Sequence, residues 1–336
     1  MTEAALLVLD AAEARFGFRT TREVVNWSSA RYIEHQERVT RQMIEGLRRF
    51  DAVLLGAIGH PDAPRGMMER DIIIGLRIGL DLYVNLRPLV LYDERLCPLK
   101  GKRAEDIDIL VVRENTEDVY VNAGAITGTG KDEVARVEMS FTRPGIERVT
   151  RYAFERARAR PRKKLTLVDK ANAIPVQGLW RTILDEIGAG YPDVERDAMY
   201  VDAASMWFVQ HPERFDVVLT TNLFGDILTD LGAALVGGLG TGASGNIHPG
   251  KVSVFEPIHG SAPKYTGQGV ASPVGTMGAV GLMLDHLGER ESYTAIEKAL
   301  REGFRGGYIK GADAGSGRTL DVAKGVAEAV SRGRWA

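Results

Sequence analysis

Residues 213–231 read ERFDVVLTTNLFGDILTDL, and this stretch sets the fold class. Phe215–Leu219 is a short, mostly apolar run of the kind that forms a strand buried on both faces. From Phe224 the spacing turns helical and continues to Val236. A buried strand passing through a short turn into a helix is the repeating unit of a parallel α/β sheet. Outward from it, strand-like runs recur at 51–59, 107–112, 164–168, 197–201 and 252–255. Helix-like stretches lie at 3–16, 34–49, 67–80, 145–159, 175–187, 274–287, 292–303 and 320–331. The first of these stops at Gly17, which suits a helix C-cap. The alternation predicts an α/β protein with a largely parallel sheet.

Two segments break the alternation. Residues 118–142 hold two β-leaning pieces around Gly124, Gly128 and Gly130, which predicts a hairpin or arm, for a subunit contact or as a surface flap. Residues 237–250 are glycine-rich and read as a hinge or a ligand loop. The 336 residues suggest about two domains. Composition is that of a globular protein, 44% apolar and 26% charged. A net charge of −2 with no basic block argues against nucleic acid as a partner. Cys97 is the only cysteine, so an internal disulfide and a cysteine-based zinc site are both excluded. No apolar run approaches a membrane span, and Met1–Ala5 lacks the basic start of a signal peptide. The cytoplasm is the expected location.

Four constellations could carry chemistry. Asp226 and Asp230 are four residues apart, so on a helix their carboxylates share one face. Their repulsion, on the order of a few tenths of a kcal/mol, would be relieved by a divalent cation such as Mg²⁺ or Mn²⁺. A solvated helix face would look the same. Arg77, Arg87 and Arg113 each stand at the edge of an element. Three guanidinium forks suit a substrate with several carboxylates, although each arginine alone reads as a surface residue. Lys170, in Lys170-Ala171-Asn172, follows the strand 165–169, where α/β proteins place functional groups and where a lysine of lowered pKa can act as a base. The run Glu256–Pro263, EPIHGSAP, has small residues that let backbone N–H groups approach a phosphate or a base. No G-x-G-x-x-G follows a first strand, so the standard dinucleotide fingerprint is absent.

Taken together, the chain resembles the β-decarboxylating dehydrogenases, which act on isopropylmalate, isocitrate, homoisocitrate and tartrate or D-malate. The resemblance rests on LDLYVNLRP at 80–88, VRENTEDVY at 112–120, KAN at 170–172, VDAASM at 201–206, residues 213–231 and VFEPIHGSAP at 254–263, in that order over nearly the whole chain. It implies a two-domain fold with a central mixed, largely parallel sheet and a β arm at about 118–142. Residues 1–82 and 237–336 would form a discontinuous cofactor-binding domain, and 83–236 the substrate, metal and dimerisation domain. The family's opening strand and glycine turn have no counterpart here, since the chain starts in the helix that follows them. A late start site, a truncation or a degenerate, non-catalytic regulatory paralogue would each account for that. With the strand missing, reduced stability and weaker cofactor binding are expected.

The resemblance also implies roles. Arg77, Arg87 and Arg113 would hold the malate carboxylates, and Asp202, Asp226 and Asp230 the metal, Mg²⁺ or Mn²⁺. Tyr120 and Lys170 would be the catalytic pair, with Lys170 and Asp202 supplied by a neighbouring subunit of a homodimer or tetramer. Ile73 and Ile74 occupy the positions that read the third substituent of the malate, where isocitrate enzymes carry polar groups. Two apolar side chains suit an isopropyl group, at about 0.8 kcal/mol per buried carbon. The expected substrate is 3-isopropylmalate, with tartrate, D-malate, homoisocitrate and isocitrate as alternatives. Asn172, Glu256, His259, Gly260, Ser261, Ala262, Lys264, Tyr265 and Ser272 fall at cofactor positions. Family members that use NAD carry an aspartate after HGSAP, but here Lys264-Tyr265 stands there, a pair that leans towards NADP over NAD.

Overall fold

The computed structural model describes residues 1–64, 66–121 and 124–333. In chain order the first elements are helices α1 (Thr2–Phe16), α2 (Ser29–His35) and α3 (Arg41–Glu45) and strand β1 (Ala52–Leu54). After a π-helical turn at Glu69–Ile74 come α4 (Gly75–Gly79), β2 (Val84–Val90), β3 (Asp108–Glu114), β4 (Gly124–Thr127) and β5 (Val134–Val137). Next are α5 (Arg143–Arg158), β6 (Lys164–Asp169), α6 (Gly178–Gly188), β7 (Glu195–Tyr200), α7 (Val201–Gln210), β8 (Val217–Thr220) and α8 (Asn222–Leu235). The chain ends with β9 (Ala243–Ile247), β10 (Ser253–Pro257), α9 (Val274–His286), α10 (Arg290–Arg305) and α11 (Thr319–Arg332).

The helix expected at 34–49 is broken. Ser28 caps α2 by accepting from the Arg31 N–H, and Gln36 ends it in the left-handed conformation at φ 57°. Thr40 then caps α3, and the last turn, Gly46–Arg49, tightens to a 3-10 helix. Caps of this kind satisfy N–H groups that a helix start leaves without partners. Gly17 does close α1, at φ 78°, with its N–H on the Glu13 carbonyl.

The chain divides into two compact units. Unit 1 comprises Met1–Leu82, Pro88–Ile107 and Ala233–Ala336. There β1 runs parallel to β10, and β10 pairs antiparallel with β9. Helices α1 and α10 pack on α9, a helix buried along almost its whole length, and α11 packs on α1 and α10. A second apolar cluster gathers Ile44, Met67, Met68, Ile72, Leu76, Leu80 and Val254. Residues 88–107, expected in the other domain, belong here: the Leu91 N–H bonds the Ile107 carbonyl and Tyr92 stacks on Phe304.

The glycine-rich segment 237–250 is not an open loop. It contains β9, buried at every position and tied to β10, where the Asn246 amide donates to Glu256. Its glycines make room for neighbours: a β-carbon on Gly245 would meet the Phe255 ring at 3.0 Å. Composition suggested a loop because small polar residues are poor strand formers unless their polar groups are paired.

Unit 2 comprises Tyr83–Arg87 and Asp108–Gly232. Its strands β3, β8, β6 and β7 are paired in that order, all parallel. Helices α5 and α6 pack together, with Trp180, Ile146, Val149 and Phe154 buried. Strands β4 and β5 form an antiparallel hairpin exposed at every position, the arm expected near 118–142.

Candidate active site

The parallel strands of unit 2 end at one edge, which is where α/β proteins gather functional groups. Arg113 lies near the end of β3 and points into the start of α8. Its side chain is only 1% exposed. Its Nε donates to the Asn222 side-chain oxygen at 2.9 Å, and a terminal nitrogen makes a very short contact with Asp226. Gly225 allows this approach, because a β-carbon there would run into the Arg113 stem.

Arg87, near the middle of β2, reaches the same helix. It donates to the Thr229 hydroxyl at 2.6 Å and lies 3.6 Å from Asp226 and 3.7 Å from Asp230. The Tyr120 hydroxyl donates to the second Asp226 oxygen at 2.9 Å, and the Arg113 guanidinium stacks 5.4 Å from the Tyr120 ring centre. Partial burial pushes the Asp226 carboxyl up, but the charges of Arg113 and Arg87 outweigh it and hold the group below the usual carboxylate range. Asp226 is therefore an anion at neutral pH, flanked by two cations and a phenol.

Five of the expected residues, Arg87, Arg113, Tyr120, Asp226 and Asp230, thus meet in unit 2. Lys170 and Asp202 form a separate pair: the Lys170 ammonium lies 2.7 Å from Asp202 and holds its carboxyl below the usual range. Among the described residues no three His, Cys, Asp or Glu side chains converge on a metal position. Asp202 therefore does not join Asp226 and Asp230 within one chain. Asn172 lies exposed in the turn after Lys170.

In unit 1 the π-helical turn and α4 carry Ile73, Ile74 and Arg77, all half-buried, whereas Ile72 is fully buried in the core. Just before them, Asp71 is paired by the Arg38 fork at 2.6 Å on both oxygens, so its negative charge is matched by a cation.

The EPIHGSAP run forms a tight loop after β10. Glu256 is buried and accepts from Asn246 at 2.8 Å, which gives it a structural partner. The Ser261 hydroxyl donates to the Gly59 carbonyl at 2.7 Å, and Ala262 adopts the left-handed conformation at φ 45°. Burial pushes the His259 imidazole down in pKa, and its Nε2 is buried without a hydrogen-bond partner among the described residues. A neutral imidazole with an unsatisfied nitrogen suits a polar ligand such as a nucleotide base. Lys264 is exposed, with its ammonium 4.8 Å from the Tyr265 ring centre. Ser272 accepts weakly from the Val274 N–H at 3.5 Å, at the start of α9.

Glu114, Asp118 and Asn222, which lie within the family motifs but have no expected role, also belong to this arrangement. Glu114, 1% exposed, accepts from the Thr116 N–H, the Thr116 hydroxyl and the Glu117 N–H and so shapes the turn after Arg113. Their polar character next to an apolar strand was the available signal, since buried polar groups must be paired.

In an α/β fold, unit 2 thus brings two arginines, two aspartates and a tyrosine together around the start of α8. The chain belongs to the isocitrate/isopropylmalate dehydrogenase family, whose model it matches over residues 1–330. It is 48% identical over 301 residues to a 3-isopropylmalate dehydrogenase of Thermobifida fusca, covering 88% of this chain and 85% of that protein. It is 50% identical over 261 residues to a 3-isopropylmalate dehydrogenase of Streptomyces griseus, covering 76% of this chain and 75% of that one. The crystal structure of isocitrate dehydrogenase from Methylococcus capsulatus matches with a TM-score of 0.85 at 33% identity, over 98% of this chain and 95% of that one. No helix among the described residues is long and apolar enough to cross a membrane.

Proposed function

We propose that this chain is a metal-dependent decarboxylating dehydrogenase that oxidises 3-isopropylmalate with a nicotinamide cofactor, in leucine biosynthesis. The observation that carries the reading is Asp226, held ionised between Arg87 and Arg113 with the Tyr120 hydroxyl on its free oxygen. The names of the relatives from Thermobifida fusca and Streptomyces griseus support the substrate.

The donor set fits a hard divalent cation. Asp226 and Asp230 offer carboxylate oxygens one helical turn apart, and Asp230 stands 3.7 Å from Arg87, outside hydrogen-bond range. Asp202 would complete the set from a second copy, which accounts for its separation from the other two. Bound there, Mg²⁺ or Mn²⁺ supplies Lewis acidity towards the substrate's hydroxyl and later carbonyl oxygen. Arg77, Arg87 and Arg113 hold the two carboxylates of the malate, and Ile73 and Ile74 receive its isopropyl group. Lys170 of the second copy, as the neutral amine once relieved of its Asp202 contact, would accept the C2 hydroxyl proton, and the nicotinamide, when bound, would supply the hydride acceptor. The bond between C3 and its carboxylate then breaks, CO₂ departs, and the electron pair remains as an enolate. Tyr120 donates its phenolic proton to C3, which yields the 2-oxo acid.

The buried, unsatisfied Nε2 of His259 and the small residues Gly260, Ser261 and Ala262 suit the adenosine end of the cofactor. Asn172, Glu256 and Ser272 complete that site, and Lys264 with Tyr265 would favour the 2′-phosphate of NADP over the bare hydroxyl of NAD. The assembly is a homodimer at least, to which the exposed apolar side chains of the hairpin, Ile126 and Val137, would contribute. The test is reduction of NAD⁺ and NADP⁺ with Mn²⁺, with 3-isopropylmalate, isocitrate, homoisocitrate, D-malate and tartrate assayed in parallel. The highest kcat/KM for 3-isopropylmalate is expected. A kcat/KM no better than for D-malate overturns the substrate, and no turnover of any acid overturns the enzyme.

A further inference from the structure

Asp118 has no part in the chemistry described so far, yet it is fully buried and held at φ 72°. A residue other than glycine stays in that region only where its surroundings over-determine it. One Asp118 oxygen accepts from the Val119 N–H at 2.8 Å, and the other from the Leu223 N–H at 2.9 Å. Leu223 is the second residue of α8, so this N–H is one that the helix leaves without a partner of its own. The Asp118 N–H in turn donates to the Ser140 carbonyl at 3.0 Å. Next to this clasp, the Asn222 side chain accepts from Arg113 and donates to the Glu117 carbonyl at 3.1 Å.

Three hydrogen bonds thus bolt the first turn of α8 to the segment 113–120. The same two elements carry the contact between Tyr120 and Asp226. Tyr120 follows Asp118 by two residues, and Asp226 follows Leu223 by three. We infer that Asp118 is a positioning residue, which sets the place of the Tyr120 phenol against Asp226 by clamping the start of α8. The inference rests on the proposed role of Tyr120 as proton donor. A displacement of about 1 Å in such a donor lowers the rate by about 10²-fold.

Two variants test it. Asp118→Gly keeps the left-handed backbone without strain and removes both acceptors. Asp118→Asn tolerates the same backbone and keeps one acceptor oxygen. Each is assayed with 3-isopropylmalate and Mn²⁺. In parallel, the Tyr120 resonance is followed by ¹⁹F NMR in fluorotyrosine-labelled protein, assigned by its loss in Tyr120→Phe. The expected result is a kcat lowered about 10²-fold in Asp118→Gly and about tenfold in Asp118→Asn, with KM little changed. The Tyr120 resonance should move in the same order. A wild-type kcat, an unmoved resonance, or an effect confined to KM or to melting temperature overturns the inference. If Asp118→Gly does not fold, Asp118→Asn decides by the same criteria. If the wild-type protein turns over none of the acids, the functional reading fails by itself and the Tyr120 resonance alone decides the positioning role.

Discussion

Gly225→Ala separates two effects of opposite sign. In a helix, alanine is favoured over glycine by about 0.8–1 kcal/mol, so propensity alone predicts a more stable protein. The structure predicts the reverse. A β-carbon at 225 would stand 2.5 Å from Cγ, 2.7 Å from Cβ and 2.8 Å from Cδ of Arg113. Carbon atoms in contact sit about 3.5–4.0 Å apart, so the arginine stem must move by roughly 1 Å. At 1% exposure it has no solvent to swing into. Overpacking of this kind costs about 1–3 kcal/mol, which exceeds the propensity gain at all but its lower end. The same displacement stretches the Arg113 bonds to Asn222 and Asp226. A buried charge deprived of its partner costs about 3–5 kcal/mol, so even partial loss dominates the balance. The expected outcome is a net loss of about 2 kcal/mol in stability. Activity should fall by about 10²-fold in kcat/KM, because the guanidinium proposed to hold a substrate carboxylate would have moved. Denaturant unfolding and steady-state kinetics on the same preparation measure both. A variant more stable than wild type with unchanged kinetics refutes the reasoning, since it would mean that Arg113 relaxes freely.

Three further outcomes are expected. Burial pushes the Glu114 carboxyl above the usual carboxylate range, against the hydrogen bonds from Thr116 and Glu117. A raised folded-state value gives stability that is full below the unfolded value of about 4.3 and is lost as pH rises through the folded value. The stability of wild type relative to Glu114→Gln should therefore fall as pH rises above the ordinary carboxylate range, and a difference independent of pH in urea unfolding refutes this. Thr229→Val removes the acceptor 2.6 Å from Arg87, a charged hydrogen bond of about 1.5–3 kcal/mol, and should raise KM for the hydroxy acid about tenfold. An unchanged KM would show that Arg87 is held by its other contacts. Gly240→Ala places a β-carbon 2.1 Å from the Ala312 carbonyl oxygen, which is backbone and cannot rotate away. It should cost about 3 kcal/mol, read as a lower melting temperature, and an unchanged one would remove the packing role of this glycine.

Much of the fold was legible because it rests on local patterns. A buried parallel strand such as β8 is a largely apolar run, and α10 and α11 are amphipathic at helical spacing. What escaped was decided by contacts far along the chain. Strand β2 contains Pro88, which cannot donate a ladder hydrogen bond, so its sequence argues against a strand even though six of its seven positions are buried. Strand β9 was hidden by its polar and small residues, which become a strand only once Glu256 pairs Asn246 and Phe255 packs over Gly245. The break at Gln36 was signalled by Ser28 and Thr40, each an N-cap residue, but helix-period spacing on both sides concealed it.

The site divides along the same line. Arg87, Arg113, Tyr120, Asp226 and Asp230 carry side chains whose chemistry announces itself, and family motifs placed them. Residue type alone does not show that Asp226 is already engaged by both arginines and the phenol. That follows from β2, β3 and α8 meeting in space. The arrangement has a consequence for binding order. Two guanidinium groups held against Asp226 are preorganised for carboxylates, yet in the free chain their charge is partly satisfied by Asp226 itself. A dianionic substrate must compete for those forks. A divalent cation drawing on Asp226 and Asp230 would weaken that competition, so metal and substrate should each strengthen the other's binding. Titration calorimetry with Mn²⁺ and 3-isopropylmalate, each in the absence and presence of the other, measures that coupling. Equal affinities in both backgrounds would show that the Asp226 contacts do not restrain the arginines.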